Sequence, residues 1–136
     1  MKRKINVGIV DDEIFGRDFV EAILHNQFPD LEVIFKAINL KDALEKLQRY
    51  QPDLLFLDIE LGDGSAFELF DQTPNLKSQV IFITAYDHYA IKAIKNDAVD
   101  YILKPINEEE FTTATSKALD RLQFSKEESN EIMLPS

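Results

Sequence analysis

The sequence predicts an open, doubly wound α/β domain, a parallel sheet with helices on both faces. Three observations carry this. Five short apolar runs alternate with longer stretches of helical period, which favours a parallel sheet. Three of those runs are nearly continuous aliphatic or aromatic residues, as strands covered on both faces require. Four of the five end in a charged or reactive side chain, at the edge where such sheets bind ligands.

The first run, Ile5 to Val10, leads into Asp11-Asp12-Glu13. Phe15, Phe19 and Ile23 then recur every four residues with Val20 and Leu24 beside them, which predicts an amphipathic helix. Leu31 to Ile38 is the second run, and Leu40, Ala43, Leu44 and Leu47 repeat the helical arrangement. Leu54 to Leu57 ends at Asp58. Asp63-Gly64 predicts a turn in which the glycine takes positive φ, and Ser65-Ala-Phe-Glu68 a capping box that opens the third helix. Val80 to Ile83 ends at Thr84, and Tyr89 to Asn96 is a weaker helix. Val99 to Leu103 ends at Lys104. Asn107 followed by Glu108, Glu109 and Glu110 places an N-cap and three carboxylates in a first turn, where the helix dipole favours them. Phe111, Ala114, Ala118 and Leu122 then share one face of a last helix. From Ser125 the composition turns charged, so the expected organisation is one domain over 1–124 and a linker, or the start of a truncated output domain, over 125–136.

A chain of 136 residues buries roughly 68% of the surface its unfolded form exposes, so it needs neither disulfides nor a structural metal. The sequence has no cysteine, which removes thiolate zinc sites and cysteine nucleophiles. With 25 acids against 15 bases, a net charge of −10 disfavours binding to nucleic acid phosphates or to an anionic membrane surface. The basic start Met1-Lys-Arg-Lys is followed by only six residues before Asp11, too few for a signal peptide, and no window approaches the ~20 apolar residues of a membrane span. The expectation is a cytoplasmic protein. His25 and His88 lack a second histidine at metal-ligand spacing and read as surface residues.

In a sheet of order 2-1-3-4-5, the strands that end at Asp11 and Asp58 are neighbours, and Thr84 and Lys104 follow on the next two. The strand ends then surround one crevice. Two carboxylates ~4 Å apart repel by about 4 kcal/mol at an effective dielectric near 20, so Asp11, Asp12 and Asp58 need cations. Lys104 supplies one charge, and an oxygen-only ligand set suits Mg²⁺ for the rest. A carboxylate can attack phosphorus to form an aspartyl phosphate, and Asp58, alone at the end of a central strand, is the candidate nucleophile. Lys104 would neutralise the transferred group and Thr84 donate to it.

The segments Ile9-Val-Asp-Asp12, Leu55-Phe-Leu-Asp58, Asp63-Gly64, Thr84-Ala85 and Tyr101-Ile-Leu-Lys104-Pro105 resemble the receiver domain of two-component response regulators. The likeness runs from about Ile5 to Gln123, and its specificity lies in order and spacing: 46 residues from 12 to 58, 26 from 58 to 84 and 20 from 84 to 104. The resemblance implies a flavodoxin-like five-stranded sheet of order 2-1-3-4-5 with five helices, and phosphorylation of Asp58 by a sensor histidine kinase. It implies Mg²⁺ held by Asp12, Asp58 and the Glu60 carbonyl, with Asp11 acting largely through water. Thr84 and Tyr101 match the switch pair of the family, Lys104 bridges to phosphoryl oxygens, and the Lys104-Pro105 bond is cis. Glu60 and Tyr86 occupy positions that bear on phosphoryl lifetime, Tyr86 as a shield against water. Phosphorylation is expected to promote a homodimer through the fourth helix, fifth strand and fifth helix.

Phe82-Ile-Thr-Ala-Tyr-Asp-His-Tyr-Ala90, Ala98-Val-Asp-Tyr101 and the tail Glu131-Ile-Met-Leu-Pro-Ser136 are similar to the subgroup that carries a LytTR DNA-binding domain, which would make this a receiver with a transcription-regulating output. Three other readings stand beside it. A haloacid-dehalogenase-like phosphatase uses the same parts, but wants an aspartate where Glu60 stands and has its acidic pair last in sequence. A flavodoxin-like FMN binder would not place Asp-Asp-Glu against a phosphate. A receiver-shaped interaction module that is never phosphorylated would not need an intact site.

Overall fold

The computed structural model describes residues 4–133, with side chains described over 4–123. The chain alternates β1 (Ile5–Val10), α1 (Ile14–Gln27), β2 (Leu31–Ala37), α2 (Leu40–Arg49), β3 (Leu54–Leu57), α3 (Ala66–Gln72), β4 (Gln79–Thr84), α4 (Ala90–Lys95), β5 (Asp100–Leu103) and α5 (Glu108–Met133). The strands form one parallel sheet in the order β2-β1-β3-β4-β5, as expected.

Strand alternation divides the core into two layers. Val7 and Ile9 of β1, Leu54 and Phe56 of β3 and Ile81 and Ile83 of β4 face α1 and α5, where they meet Val20, Ile23, Leu24, Phe111, Ala114 and Ala118. Val10, Leu55, Leu57, Val80 and Phe82 face the other way, against Leu40 and Ala43 of α2, Phe67 and Leu69 of α3 and Ala93 of α4. Burial on both faces is why these strands read as nearly continuous apolar runs. Gly8 lets Phe35 of β2 lie flat on the sheet, since a Cβ there would stand 2.4 Å from the ring.

Two local expectations are corrected. Phe15 and Phe19 do not join Ile23 in the core: Phe15 is 85% and Phe19 44% exposed, while Val20, Ile23 and Leu24 are buried. A row spaced by four residues drifts about 40° per step around a helix of 3.6 residues per turn, so its first members rotate away from the sheet. The positive φ belongs to Gly62 (83°) and not to Gly64. Gly64 is there for space, because a Cβ would stand 2.4 Å from Leu40. Its neighbour Asp63 accepts from the amides of Leu40 (2.7 Å) and Lys41 (3.0 Å), fastening the β3–α3 loop to the start of α2.

The predicted caps form. The side chains of Ser65 and Asn107 accept from the amides of Glu68 and Glu110, and Asn39, which the sequence reading passed over, does the same for Asp42. Helix α5 continues through the stretch from Ser125, read as a linker, to Met133. Of the tail, Leu134 to Ser136 lie outside the described residues, as does the basic start at Met1 to Arg3. Among the described residues no helix is long and apolar enough to cross a membrane.

Candidate functional site

The carboxyl ends of β1, β3 and β5 build the site by extending the ladder one residue past each strand, and β4 contributes its own last residue, Thr84. The Asp11 amide donates to the Ala37 carbonyl at 3.1 Å, the Asp58 amide to Val10 at 2.9 Å and the Lys104 amide to Thr84 at 2.8 Å. These bonds fix where Asp11, Asp58 and Lys104 begin, so their side chains project from one edge. Helix α1 then closes on Asp11. The Glu13 amide donates to Asp11 Oδ1 at 2.9 Å, and Arg17 Nη1 to the Asp11 carbonyl at 2.7 Å. Gly16 permits that approach, because a Cβ would sit 2.3 Å from Asp11 Oδ2.

Lys104 is the hub. Its Nζ lies 3.0 Å from Asp11 Oδ2, 2.9 Å from Glu13 Oε1 and 3.1 Å from Asp58 Oδ2. Asp11 and Asp58 are buried, whereas Glu13 and Asp12 are exposed. Burial pushes the Asp11 carboxyl above its ordinary value, against the pull of the Glu13 amide and of Lys104. Burial alone would lower the Lys104 ammonium, yet its bonds to Glu13 and Asp11 and the charge of Asp58 raise it well above the usual lysine value. The bond from Lys104 holds the Glu13 carboxyl below its usual range. Lys104 is therefore a fixed positive charge.

One carboxylate oxygen from each of Asp11, Asp12, Glu13 and Asp58 lies within 4.8 Å of the others. Four carboxylates against one ammonium leave a surplus of negative charge, and Asp58 Oδ1 is buried with no hydrogen-bond partner among the described residues. An orphaned carboxylate oxygen in an all-oxygen cluster is what a hard divalent cation satisfies. The residues fit such an ion.

Thr84 is fully buried beside the cluster, and its Oγ1 accepts from the Tyr86 amide at 3.4 Å. The half-buried Tyr101 ring packs 6.1 Å from Phe82, and its hydroxyl donates to the Tyr86 carbonyl. Glu60, held by an isolated bridge to Ser65, accepts at Oε1 from the Tyr89 hydroxyl at 2.7 Å. The phenols of Tyr86 and Tyr89 are both raised above their ordinary values, chiefly by hydrogen bonding to Glu60. Lys104-Pro105 is cis. His25 and His88 are on the surface.

Every strand-end residue singled out from the sequence thus meets at one edge. The sequence reading missed Glu13 as a Lys104 partner, Gly16 and Arg17 as supports of Asp11, and Tyr89. Glu13 was visible beside the acidic pair. Tyr89 carried no local signal, since its partner lies 29 residues away.

Comparison with known proteins agrees with this geometry. The family model for the response regulator receiver domain matches residues 7–116. The sensory transduction protein LytT of Bacillus cereus is 38% identical over 130 residues, covering 94% of this chain and 52% of the relative. The LytT protein of Enterococcus faecalis is 41% identical over 116 residues, covering 84% and 48%. Among solved structures, the REC domain of AraT, a response regulator from Geobacillus stearothermophilus, superposes with a TM-score of 0.80 at 28% identity, covering 90% of this chain and 98% of that one. The chain spans about half the length of the curated relatives it matches.

Proposed function

The chain belongs to the response regulator receiver family, and from that premise we propose that Asp58 accepts a phosphoryl group from a sensor histidine kinase. The observation that carries this is Lys104 bridging Asp58 and Asp11 beside the unpartnered Asp58 Oδ1. In the transfer, an oxygen of the Asp58 carboxylate forms a bond to phosphorus as the bond from phosphorus to the donor imidazole breaks. The electron pair leaves with the imidazole. Lys104 neutralises charge on the arriving oxygens, and the Thr84 hydroxyl donates to one of them. Mg²⁺, held by Asp12, Asp58 and the Glu60 carbonyl with Asp11 acting through water, would supply charge neutralisation when bound.

The same reading gives the rest of the cycle. The Thr84 and Tyr101 side chains repack as a pair, and the face of α4, β5 and α5 changes its preference for a partner. That face already presents Ile91 and Ile94 at 72% and 73% exposure with Leu103 at 42%, which supports a phosphorylation-promoted homodimer. Equal sedimenting mass with and without a phosphoryl mimic would remove the dimer. The group is then lost by slow self-catalysed hydrolysis, with Tyr86 shielding it; a Tyr86→Ala protein that keeps its phosphoryl group as long as the parent contradicts the shield. The output is a LytTR-type DNA-binding domain, attached beyond 1–124, and the receiver itself makes no nucleic acid contact and stays in the cytoplasm.

Intact-mass analysis after incubation with a small acyl phosphate, with and without Mg²⁺, tests the central reading. The parent gains one phosphoryl group only with the metal, and Asp58→Asn gains none. Repeated turnover of a phosphomonoester would instead restore the phosphatase.

A further inference from the structure

We propose that the Tyr89 hydroxyl is a positioning group that draws the Glu60 carboxylate toward α4 and so lengthens the life of the phosphorylated form. The proposal rests on the reading of Asp58 as phosphoacceptor. Glu60 stands two residues beyond Asp58, on backbone fixed by its bridge to Ser65, by the Leu61 amide on Gly64 at 2.9 Å and by the Ala66 amide on Ile59 at 2.8 Å. Its side chain is the part that can move. Oε1 is held by Tyr89 at 2.7 Å, and Tyr89 is itself anchored. It is the N-cap residue of α4, and its ring packs 5.8 Å from Phe67 and 4.1 Å from His88.

The Tyr89 ring, at the start of α4, lies 6.4 Å from that of Tyr86 and is seated on Phe67. Its hydroxyl therefore draws Glu60 Oε1 toward that helix. Hydrolysis of an acyl phosphate forms a bond from water oxygen to phosphorus and breaks the phosphorus bond to the Asp58 oxygen. Asp58 leaves as a carboxylate with the electron pair, and a water proton passes to the departing phosphate. A free carboxylate two residues away orients that water by accepting a hydrogen bond from it. One tied to Tyr89 does not.

Tyr89→Phe removes one oxygen and keeps the ring packing. Parent, Tyr89→Phe, Glu60→Ala and the double variant are loaded with a small acyl phosphate and Mg²⁺, freed of excess reagent and followed by intact mass. Uptake by Tyr89→Phe is expected at the parent rate, while its decay is about tenfold faster, the equivalent of one hydrogen bond to a charged group. In the Glu60→Ala background Tyr89→Phe is expected to change nothing. Decay of Tyr89→Phe at the parent rate, or equal acceleration in both backgrounds, overturns the proposal. A parent that takes up no phosphoryl group fails at the earlier reading and carries this one with it; uptake with unaltered decay removes Tyr89 alone.

Discussion

Lys104 and Glu13 meet at 2.9 Å across the mouth of the acid pocket, 91 residues apart in sequence. Glu13 is the exposed one of the three carboxylates on that ammonium, its side chain 65% accessible against 7% for Asp11 and for Asp58. Under the proposed phosphotransfer, it occupies a donor that an arriving phosphoryl group would use.

Replacing Glu13 with glutamine weakens that competing contact and leaves Lys104 tied to Asp11 and Asp58. Glu13→Gln is expected to take up a phosphoryl group from a small acyl phosphate about threefold faster, the scale of a partly exposed ion pair. Uptake kinetics by intact mass check it, and a rate at or below that of the parent counts against competition.

Asp12 belongs to the carboxylate cluster but makes no ion pair with Lys104 among the described residues. Mg²⁺ at a hundred times its dissociation constant should stabilise the parent by about 2.7 kcal/mol, read as a rise in Tm. Asp12→Asn is expected to leave the metal-free Tm nearly unchanged while losing most of the Mg²⁺ response. A full response in the variant would exclude Asp12 as a ligand.

The start of α2 supplies a pH dependence away from the site. The Lys46 ammonium holds the Asp42 carboxyl below its ordinary value. At Asp63 burial pulls the carboxyl up, but the amides of Lys41 and Leu40 outweigh it and the net shift is downward. Groups depressed in the fold contribute stability that is present above the unfolded value, about 3.9 for aspartate, and is lost as pH falls through the folded value. Between about pH 5 and 2, Asp63→Asn should therefore lose less Tm than the parent, from a lower starting point. Parallel curves would show that Asp63 has no linked proton.

Phe56 and Phe111 stack with centroids 5.0 Å apart and an interplanar angle of 19°, both fully buried where α5 crosses the sheet. Phe111→Ala should cost about 3–5 kcal/mol. Urea unfolding with a lower midpoint and an unchanged slope is the expected result, and a loss under about 1 kcal/mol would mean the site collapses around the cavity.

Strand identity and the residues at the strand ends were legible in the sequence because each rests on local pattern, whereas the sheet order came only from the resemblance to receiver domains. A fully covered strand must be apolar on both sides, so Leu54-Leu-Phe-Leu57 announces itself, and the residue after it stands at the ligand-binding edge. Caps such as Ser65 and Asn107 are readable for the same reason, since donor and acceptor are three residues apart. What depends on helix rotation was less legible. Phe15, Phe19 and Ile23 share a four-residue spacing, but the angular drift of that row leaves only Ile23 under the sheet.

Contacts between loops lay beyond the sequence altogether. Asp63 on the start of α2, Glu13 on Lys104 and Tyr89 on Glu60 join segments 22 to 91 residues apart, and no periodicity links such partners. The sequence by itself determined which side chains arrive at the carboxyl edge, because the end of each apolar run sets where its strand stops. Only the tertiary structure decided how those side chains pair, because crossover geometry brings the loops together and ion pairing is then settled by distance and burial.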